Sequence, residues 1–200
     1  MLTDKNPFSD LKDTINQIAF VPDEQLNALL PLTSKISYRK DEYFTKAGDN
    51  QLYIGYIIDG IFRLYYVDLN GKEYTKNFFI KNNFVAAYNA LLQEKPSNLY
   101  IQALANAEVL LINYRESLKL LDSHLGWQIF FRKITEQVYL QKENRESDLL
   151  FYDAATRYLR FKEEFPDLDK RIKQCYIASF LGMSPETLCR IKNKKVDNCQ

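Results

Sequence analysis

The side chains whose types and spacing best suit a binding function lie near the end of the chain. They belong to the stretch QCYIASFLGMSPETLCRIKNKK from Gln174 to Lys195. Apolar residues at helical spacing predict a first helix, and Gly182 can adopt a positive φ and end it. Ser184 is an N-cap candidate, and Pro185 suits the first position of a second helix. The stretch therefore predicts two short helices joined by a tight turn, a geometry that places a helix in the DNA major groove.

The second helix has Leu188 and Ile191 on its apolar face, so its polar side chains point elsewhere. Polar and basic side chains in this position can contact the bases and phosphates of a nucleic acid. The candidate DNA-binding residues are Ser184, Pro185, Glu186, Thr187, Arg190, Lys192, Lys194, Lys195 and Gln174.

The charge of the chain is concentrated at this end. Between Lys170 and Lys195 there are seven basic residues and one acidic residue, a net charge of +6, whereas the whole chain carries +1. The remaining chain is therefore acidic, with a net charge of −5. A localised basic face is expected of a protein that binds the phosphate backbone. The alternative is a surface helix whose charges only interact with solvent.

Length and composition fit one large or two small globular domains, since 46% of the 200 residues are hydrophobic. No run is long enough to span a bilayer, and the first residues lack the basic-then-apolar pattern of a secretory signal. The three cysteines form no C-x-x-C pair. We therefore expect a cytoplasmic protein that has no membrane contact and keeps its thiols reduced.

Enzymatic function is not expected. The one histidine, His124, lies beside a predicted helix start, where a surface or capping role is the simplest interpretation. A jelly-roll enzyme of the cupin kind is an alternative, but it needs a cluster of His and Glu ligands around a metal, which one histidine cannot supply. We expect no catalytic residue, no metal site and no cofactor.

The preceding chain changes from helical to strand periodicity and back. Apolar spacing predicts an amphipathic helix over Asn6–Ala19 and a second helix that starts at Pro22. Strand-like segments follow from Thr33, with Gly55 and Gly60 as expected bends. Further elements are a hairpin at Asn70-Gly71, a helix over Val85–Leu92, strands over Leu99–Ala103 and Val109–Ile112, and a helix over Arg115–Leu121. Short strands with turns between them favour a sandwich or jelly roll.

A long helix is predicted from Leu125 and is followed by another over Leu149–Phe165. The helix from Leu125 has a heptad-like stripe of apolar residues: Trp127, Phe131, Ile134 and Val138. The stripe continues through Gln141, Arg145 and Leu149. The stripe predicts a homodimer interface. A two-fold DNA site needs two DNA-binding helices, and this long helix is well placed to join two copies of the chain. A helix buried within a single chain could show the same stripe.

This arrangement resembles the Crp/Fnr family of bacterial transcription regulators over essentially the whole chain. The resemblance depends on GYIIDGIFRLYY with Gly60, on NGKE at Asn70–Glu73, and most of all on IASFLGMSPETLCRI at Ile177–Ile191. It implies an α+β fold in three parts. These are an N-terminal β-roll, or cyclic-nucleotide-binding-like jelly roll, at 1–124, a dimerisation helix at 125–148 and a C-terminal helix-turn-helix domain at 149–200.

The resemblance also implies a function: a homodimeric, sequence-specific regulator of transcription that binds double-stranded DNA. Glu186 and Arg190 match the base-reading residues of the family, and Ser184 and Thr187 match hydroxyls that bind phosphates. Pro185 stands where a further base reader is common, and it has no side-chain donor. RNA polymerase and an unknown small-molecule effector are further candidate partners. Only Val196–Gln200 follow the second helix, so the family's wing strands look short or absent.

The expected nucleotide pocket departs from the family. Members that bind cyclic AMP have a G-E-L turn and an Arg-Ser or Arg-Thr pair, which correspond here to Ala86-Ala87-Tyr88 and Ser97-Asn98. Both ionic contacts are absent, so cyclic AMP should bind poorly. The candidate pocket residues are Phe84, Ala87, Tyr88, Ser97, Asn98 and Tyr100. They would hold a less charged ligand, or they are plain core. The alternative function is a ligand-binding module without DNA function.

Overall fold

A computed structural model describes the backbone of residues 7–197 and the side chains up to Asn193. The chain begins with helix α1 at Pro7–Ile18, and helix α2 follows at Asp23–Leu29. A single 3₁₀ turn at Leu30–Leu32 leads into the strands. Leu11 and Ile15 form the buried stripe of α1, as their spacing predicts. Asn6, the predicted first residue of this helix, lies outside the described residues.

Eight strands form two four-stranded sheets in the described chain. They are β1 at Thr33–Tyr38, β2 at Tyr43–Thr45, β3 at Tyr53–Asp59, β4 at Ile61–Val67, β5 at Glu73–Ile80, β6 at Phe84–Val85, β7 at Tyr100–Ala103 and β8 at Ala107–Asn113. The strand orders are β1-β8-β3-β6 and β2-β7-β4-β5. The pairs β1 with β8, β3 with β8, β3 with β6 and β2 with β7 are antiparallel. The predicted β-roll is confirmed.

Gly60 joins β3 to β4 at a φ of +114°, which L side chains rarely adopt. A Cβ atom there would lie 2.3 Å from the Cβ of Ala107. The expected bend at Gly55 is wrong, because this residue lies inside β3. A Cβ at Gly55 would lie 2.7 Å from the side chain of Val109, so this glycine serves close packing instead.

The hairpin predicted at Asn70-Gly71 joins β4 to β5. Gly71 has a φ of +79°, and its N–H donates to the carbonyl of Asp68 at 3.0 Å. The carboxylate of Asp68 accepts the N–H groups of Asn70 and Lys72, both at 2.9 Å. These bonds lower the pKa of Asp68, chiefly through the Lys72 amide. The sequence signal was therefore correct, and Asp68 fixes the turn.

The remaining regular elements of the described chain are helices. Its helices are α3 at Tyr88–Gln93, α4 at Tyr114–Leu118 followed by a 3₁₀ turn at Lys119–Asp122, α5 at Leu125–Phe151, α6 at Ala154–Glu164, α7 at Leu168–Arg171, α8 at Gln174–Phe180 and α9 at Pro185–Asp197. The break after the long helix falls later than the expected boundary between 148 and 149. Asp153 causes this break, because its side chain accepts the N–H of Thr156 at 2.8 Å and so caps α6.

The chain forms two compact units. The first comprises the residues up to Leu64 together with Phe78–Gln137, and the second comprises Tyr65–Asn77 together with the chain from Val138. The first unit has a core in which side chains of α1, α2, β3 and β8 surround Trp127 and Phe130 of α5. The end of the β4–β5 hairpin thus belongs to the same unit as the C-terminal helices.

Gly60 and Gly71 provide a matched pair for testing the fold. Gly60→Ala should lower the free energy of unfolding by about 3 kcal/mol or more, because the new methyl group meets Ala107 and the backbone is strained. Gly71→Ala faces open space and should cost only about 1 kcal/mol for its positive φ. Denaturant titration of both variants measures the difference. Equal losses would contradict the packing account.

Candidate nucleic-acid interface

The turn between α8 and α9 has the predicted geometry. Gly182 has a φ of +64°, and the N–H of Met183 donates to the carbonyl of Ala178 at 3.0 Å. These features satisfy carbonyl groups at the end of α8 and reverse the chain direction. Ile177 of α8 and Leu188 of α9 are fully buried, so the two helices are fixed by packing as well as by the turn.

Ser184 caps the start of α9. Its hydroxyl oxygen accepts the N–H of Thr187 at 3.2 Å, and the N–H of Leu188 donates to its carbonyl at 3.1 Å. Pro185 is the first residue of the helix, as predicted. Because these roles are local, the sequence alone was enough to place them.

The first two turns of α9 present an exposed polar surface. Glu186 and Arg190 are exposed, and the Nη2 of Arg190 donates to the hydroxyl of Thr187 at 3.2 Å. The pKa of Glu186 is held below its usual value, first by a hydrogen bond from Ser184 and then by its own amide. An ionised acceptor and a guanidinium donor therefore stand together. Ser184, Pro185, Glu186, Thr187 and Arg190 lie on this surface, which we call the α9 reading surface.

Lys192 and Gln174 are arranged differently from these five residues. The Nζ of Lys192 donates to Oε1 of Gln174 at 2.9 Å and lies 3.7 Å from a carboxylate oxygen of Asp169. Gln174 begins α8, and Asp169 lies in α7. These polar groups bind one another within the unit. The backbones of Lys194 and Lys195 lie in α9, and their side chains lie outside the described residues.

Sequence analysis missed the contact between the β4–β5 hairpin and α8. The hydroxyl of Ser179 accepts the N–H of Thr75 at 2.9 Å and donates to the carbonyl of Glu73 at 3.3 Å. Sequence periodicity carries no signal for such a contact, because the two residues are about a hundred positions apart.

Arg145 of α5 also takes part in the contact between the β4–β5 hairpin and α8. Its Nη2 donates to the carbonyl of Phe180 at 3.0 Å and to that of Thr75 at 3.4 Å. The guanidinium also lies 5.1 Å from the centre of the Phe180 ring, and burial lowers its pKa. The side chain of Arg145 is therefore held within its own unit, and its place in the dimer stripe stays a prediction.

The candidate dimer residues are partly used by their own chain. Trp127 is only 1% exposed and packs in the core of the first unit, so it is not available to a partner. Phe131 and Ile134 pack partly against the same core, and Val138 is half-buried. Other apolar residues of α5 are exposed instead: Leu125, Tyr139, Leu140, Leu149, Leu150 and Phe151.

Three of the candidate pocket residues are engaged in packing. Phe84 lies with its ring centre 5.4 Å from that of Tyr56 and 5.7 Å from that of Phe130. Ala87 is fully buried. The ring of Tyr88 packs edge-on against Tyr114, and its hydroxyl lies 3.3 Å from that of Thr135.

The other three candidate pocket residues lie around the turn before β7. The hydroxyl of buried Ser97 donates to the carbonyl of Leu99 at 3.0 Å, so it fixes the turn. Asn98 is exposed, and Tyr100 packs against the ring of Tyr43. A groove of about 490 Å³ lies elsewhere, along β1 and β2. Its lining residues are Ile36, Ser37, Tyr38, Asp41, Glu42, Tyr43 and Lys46.

The described residues contain neither a metal-binding cluster nor a helix that could span a membrane. His124 uses its Nδ1 to accept the N–H of Gly126 at 2.9 Å, so it caps the start of α5. Among the described residues, no group of three or more His, Cys, Asp or Glu side chains is placed to hold a metal ion. Within 7–197, no helix combines the length and apolar character needed to cross a bilayer.

The architecture of this chain is shared with known proteins. Residues 35–124 match the family model of the cyclic nucleotide-binding domain. No curated protein has a matching sequence. Solved structures do match, and they define a Crp/Fnr-like architecture in which a cyclic nucleotide-binding domain is followed by a long helix and C-terminal helices.

Three of these structures illustrate the likeness. FixK2 from Bradyrhizobium japonicum has a TM-score of 0.70 and 19% identity, and the match covers 83% of this chain and 85% of FixK2. The c-di-GMP responsive global regulator CLP of Xanthomonas campestris has a TM-score of 0.67 and 16% identity, covering 88% and 93%. The catabolite activator protein of Thermus thermophilus has a TM-score of 0.54 and 18% identity, covering 89% and 85%.

Arg145 and Arg132 provide a second matched pair, since both lie on α5. Arg145→Met keeps an apolar stem but removes the donors to Phe180 and Thr75, so the free energy of unfolding should fall by about 2 kcal/mol. Arg132 is exposed and pairs with Glu136 on the same helix, so Arg132→Met should change stability by less than about 0.5 kcal/mol. Denaturant titration and amide exchange in α8 measure both effects. Unchanged exchange in α8 would rule out the proposed contact.

Proposed function

We propose that this protein is a homodimeric, sequence-specific DNA-binding regulator of transcription that acts in the cytoplasm. The observation that carries this proposal is the α9 reading surface, on which Glu186 and Arg190 stand exposed at the start of a capped helix. Buried Leu188 fixes the opposite face of that helix. The likeness in fold to the global regulator CLP and to a catabolite activator protein supports the same function.

The chemistry of these two side chains suits base recognition. A guanidinium can donate to O6 and N7 of guanine, and a carboxylate can accept from N4 of cytosine. Arg190 would therefore read a guanine and Glu186 a cytosine, so both would recognise G·C base pairs. The hydroxyls of Ser184 and Thr187 lie 3.2 Å apart, and in the complex they would turn their O–H groups to donate to phosphate oxygens. Pro185 offers no side-chain donor, so it should exclude water rather than read a base.

Self-association is part of the proposal, because a two-fold DNA site needs two readers. The exposed apolar residues of α5 support it, in particular Tyr139 and Leu140, which are 62% and 55% exposed. Apolar side chains in this number on one helix are typical of a covered surface. We assign the dimer contact to α5, so that the chain comprises a β-roll at 1–124, a dimerisation helix at 125–148 and a DNA-binding domain at 149–200. RNA polymerase is the proposed protein partner.

The β-roll is proposed to act without the usual binding of cyclic AMP. Ala87 is fully buried where the family's pocket carries a glutamate, and the Ser97 hydroxyl is used by Leu99. A cyclic phosphate held here would lack the arginine that offsets its loss of water. A less charged effector, or none, fits these residues better.

Arg190 provides the test of the DNA-binding proposal. Selection of binding sites from random DNA should give a symmetric consensus for the wild-type protein. Arg190→Ala should reduce the preference for that consensus by about tenfold or more, because one bidentate base contact is lost. Exposed Arg171 of α7 lies outside the reading surface, so Arg171→Ala should keep the preference. Wild-type protein that selects no consensus would refute the function.

Calorimetry tests the ligand proposal. Cyclic AMP and cyclic GMP should show no binding at micromolar concentrations, since both ionic contacts of the family are missing. Adding a positive charge next to the position of the family's arginine, with Asn98→Arg, should not by itself create a site, because the buried Ala87 leaves the ribose without a carboxylate partner. Micromolar binding by the wild-type protein would instead favour the alternative function, a nucleotide-binding module.

A further inference from the structure

A polar cluster joins four helices of the second unit. A carboxylate oxygen of Asp169 in α7 accepts the hydroxyl of Tyr158 in α6 at 2.6 Å and lies 3.7 Å from the Nζ of Lys192 in α9. Gln174 of α8 uses both ends of its amide. Its Nε2 donates to the carbonyl of Asp169 at 2.7 Å, and its Oε1 accepts from Lys192 at 2.9 Å.

Burial makes these bonds important. Asp169 is only 6% exposed, and a carboxylate removed from water needs a cation or several donors nearby. Lys192 supplies the cation, with its side chain 32% exposed. Tyr158 supplies a donor. Burial raises the pKa of its phenol, and the hydrogen bond to the Asp169 carboxylate raises it further. The charge of Lys192 therefore has a partner before any DNA arrives.

We propose that Lys192 and Gln174 are positioning residues of the DNA reader and do not act as phosphate ligands. They tie α9 to the first residue of α8 and to α7, and so fix the direction in which α9 presents Arg190 and Glu186. This inference rests on the proposed function, and it reverses the role that the positive charge of Lys192 predicts from the sequence.

The position of the cluster along α9 explains why this matters. The start of the helix is fixed by the Ser184 cap and by Leu188. The contacts of Lys192 with Gln174 and Asp169 hold α9 one turn further along. A helix that is held at two positions along its length has a fixed direction. Without the second position, α9 can tilt and move the guanidinium of Arg190. Hydrogen bonds to base edges depend steeply on distance and angle, whereas attraction to phosphates does not. Loss of the cluster should therefore reduce specificity more than general affinity.

Salt dependence separates a positioning lysine from a phosphate ligand, because each phosphate contact contributes about 0.9 to the slope of log K against log salt concentration. Lys192→Gln should leave this slope unchanged and should lower the affinity for the consensus about tenfold relative to random DNA. Lys194→Gln, two residues later in the same helix, is the matched control for a phosphate-binding lysine. It should lower the slope by about 0.9 and keep the ratio of specific to random affinity.

Measurements are made well below the unfolding temperature, so a variant that is only less stable would keep the specificity ratio. Asp169→Asn should reproduce the loss of specificity, and the double variant with Lys192→Gln should lose no more than either single variant. A slope reduced by about 0.9 in Lys192→Gln would overturn the proposal. Additive effects of the two substitutions on unfolding would overturn it too, and this measurement needs no DNA. If the wild-type protein shows no sequence preference, the proposed function is refuted. The unfolding measurement then still decides whether Lys192 and Asp169 act together.

Discussion

The second unit depends on how Arg145 satisfies the end of α8. This helix has seven residues, so it cannot hold its shape by its own hydrogen bonds. Its last residue, Phe180, has a carbonyl that the helix cannot pair internally, and the guanidinium of Arg145 donates to it at 3.0 Å. A positive charge at a helix C-terminus also interacts favourably with the helix dipole. The turn at Gly182 follows directly, so the placement of α9 begins with this contact.

The β4–β5 hairpin extends the same constraint to another part of the chain. Thr75 is buried, and both of its backbone polar groups have partners from the helices: its N–H donates to Ser179, and its carbonyl accepts from Arg145. Burial of an unpaired amide costs as much as a lost hydrogen bond, so Ser179 and Arg145 each have to be polar. The hairpin end is therefore a structural part of the unit that contains the reading surface. The strands β4 and β5 continue from it into the first unit.

Sequence reasoning succeeded where structure is set by neighbours in the chain. The Gly182 turn, the Ser184 cap and the Asn70-Gly71 hairpin each depend on a few consecutive residues, and all three have the predicted geometry. It did not predict the core position of Trp127, the internal contacts of Arg145 or the place of Gly55 inside β3, which depend on residues far away in sequence. A heptad-like stripe shows only that one face of α5 is covered. It does not show whether its own chain or a second copy covers it, and for Trp127 the answer is its own core.

The net charge counted from the sequence of the predicted DNA-binding segment also depends on partners that the sequence does not reveal. Counting residues between Lys170 and Lys195 gives +6, which suggests many phosphate contacts. Yet Lys170 pairs with Asp167 at 2.5 Å and Lys192 lies 3.7 Å from Asp169, and both carboxylates stand just before the counted segment. Each pair lowers the charge that is free to displace counterions from DNA. Exposed Asp167 can release Lys170 to a phosphate at little cost, whereas buried Asp169 cannot lose Lys192 without leaving a carboxylate unpaired. In the proposed complex with DNA, two lysines of equal formal charge would therefore have different parts, and burial of the carboxylate partner would decide which.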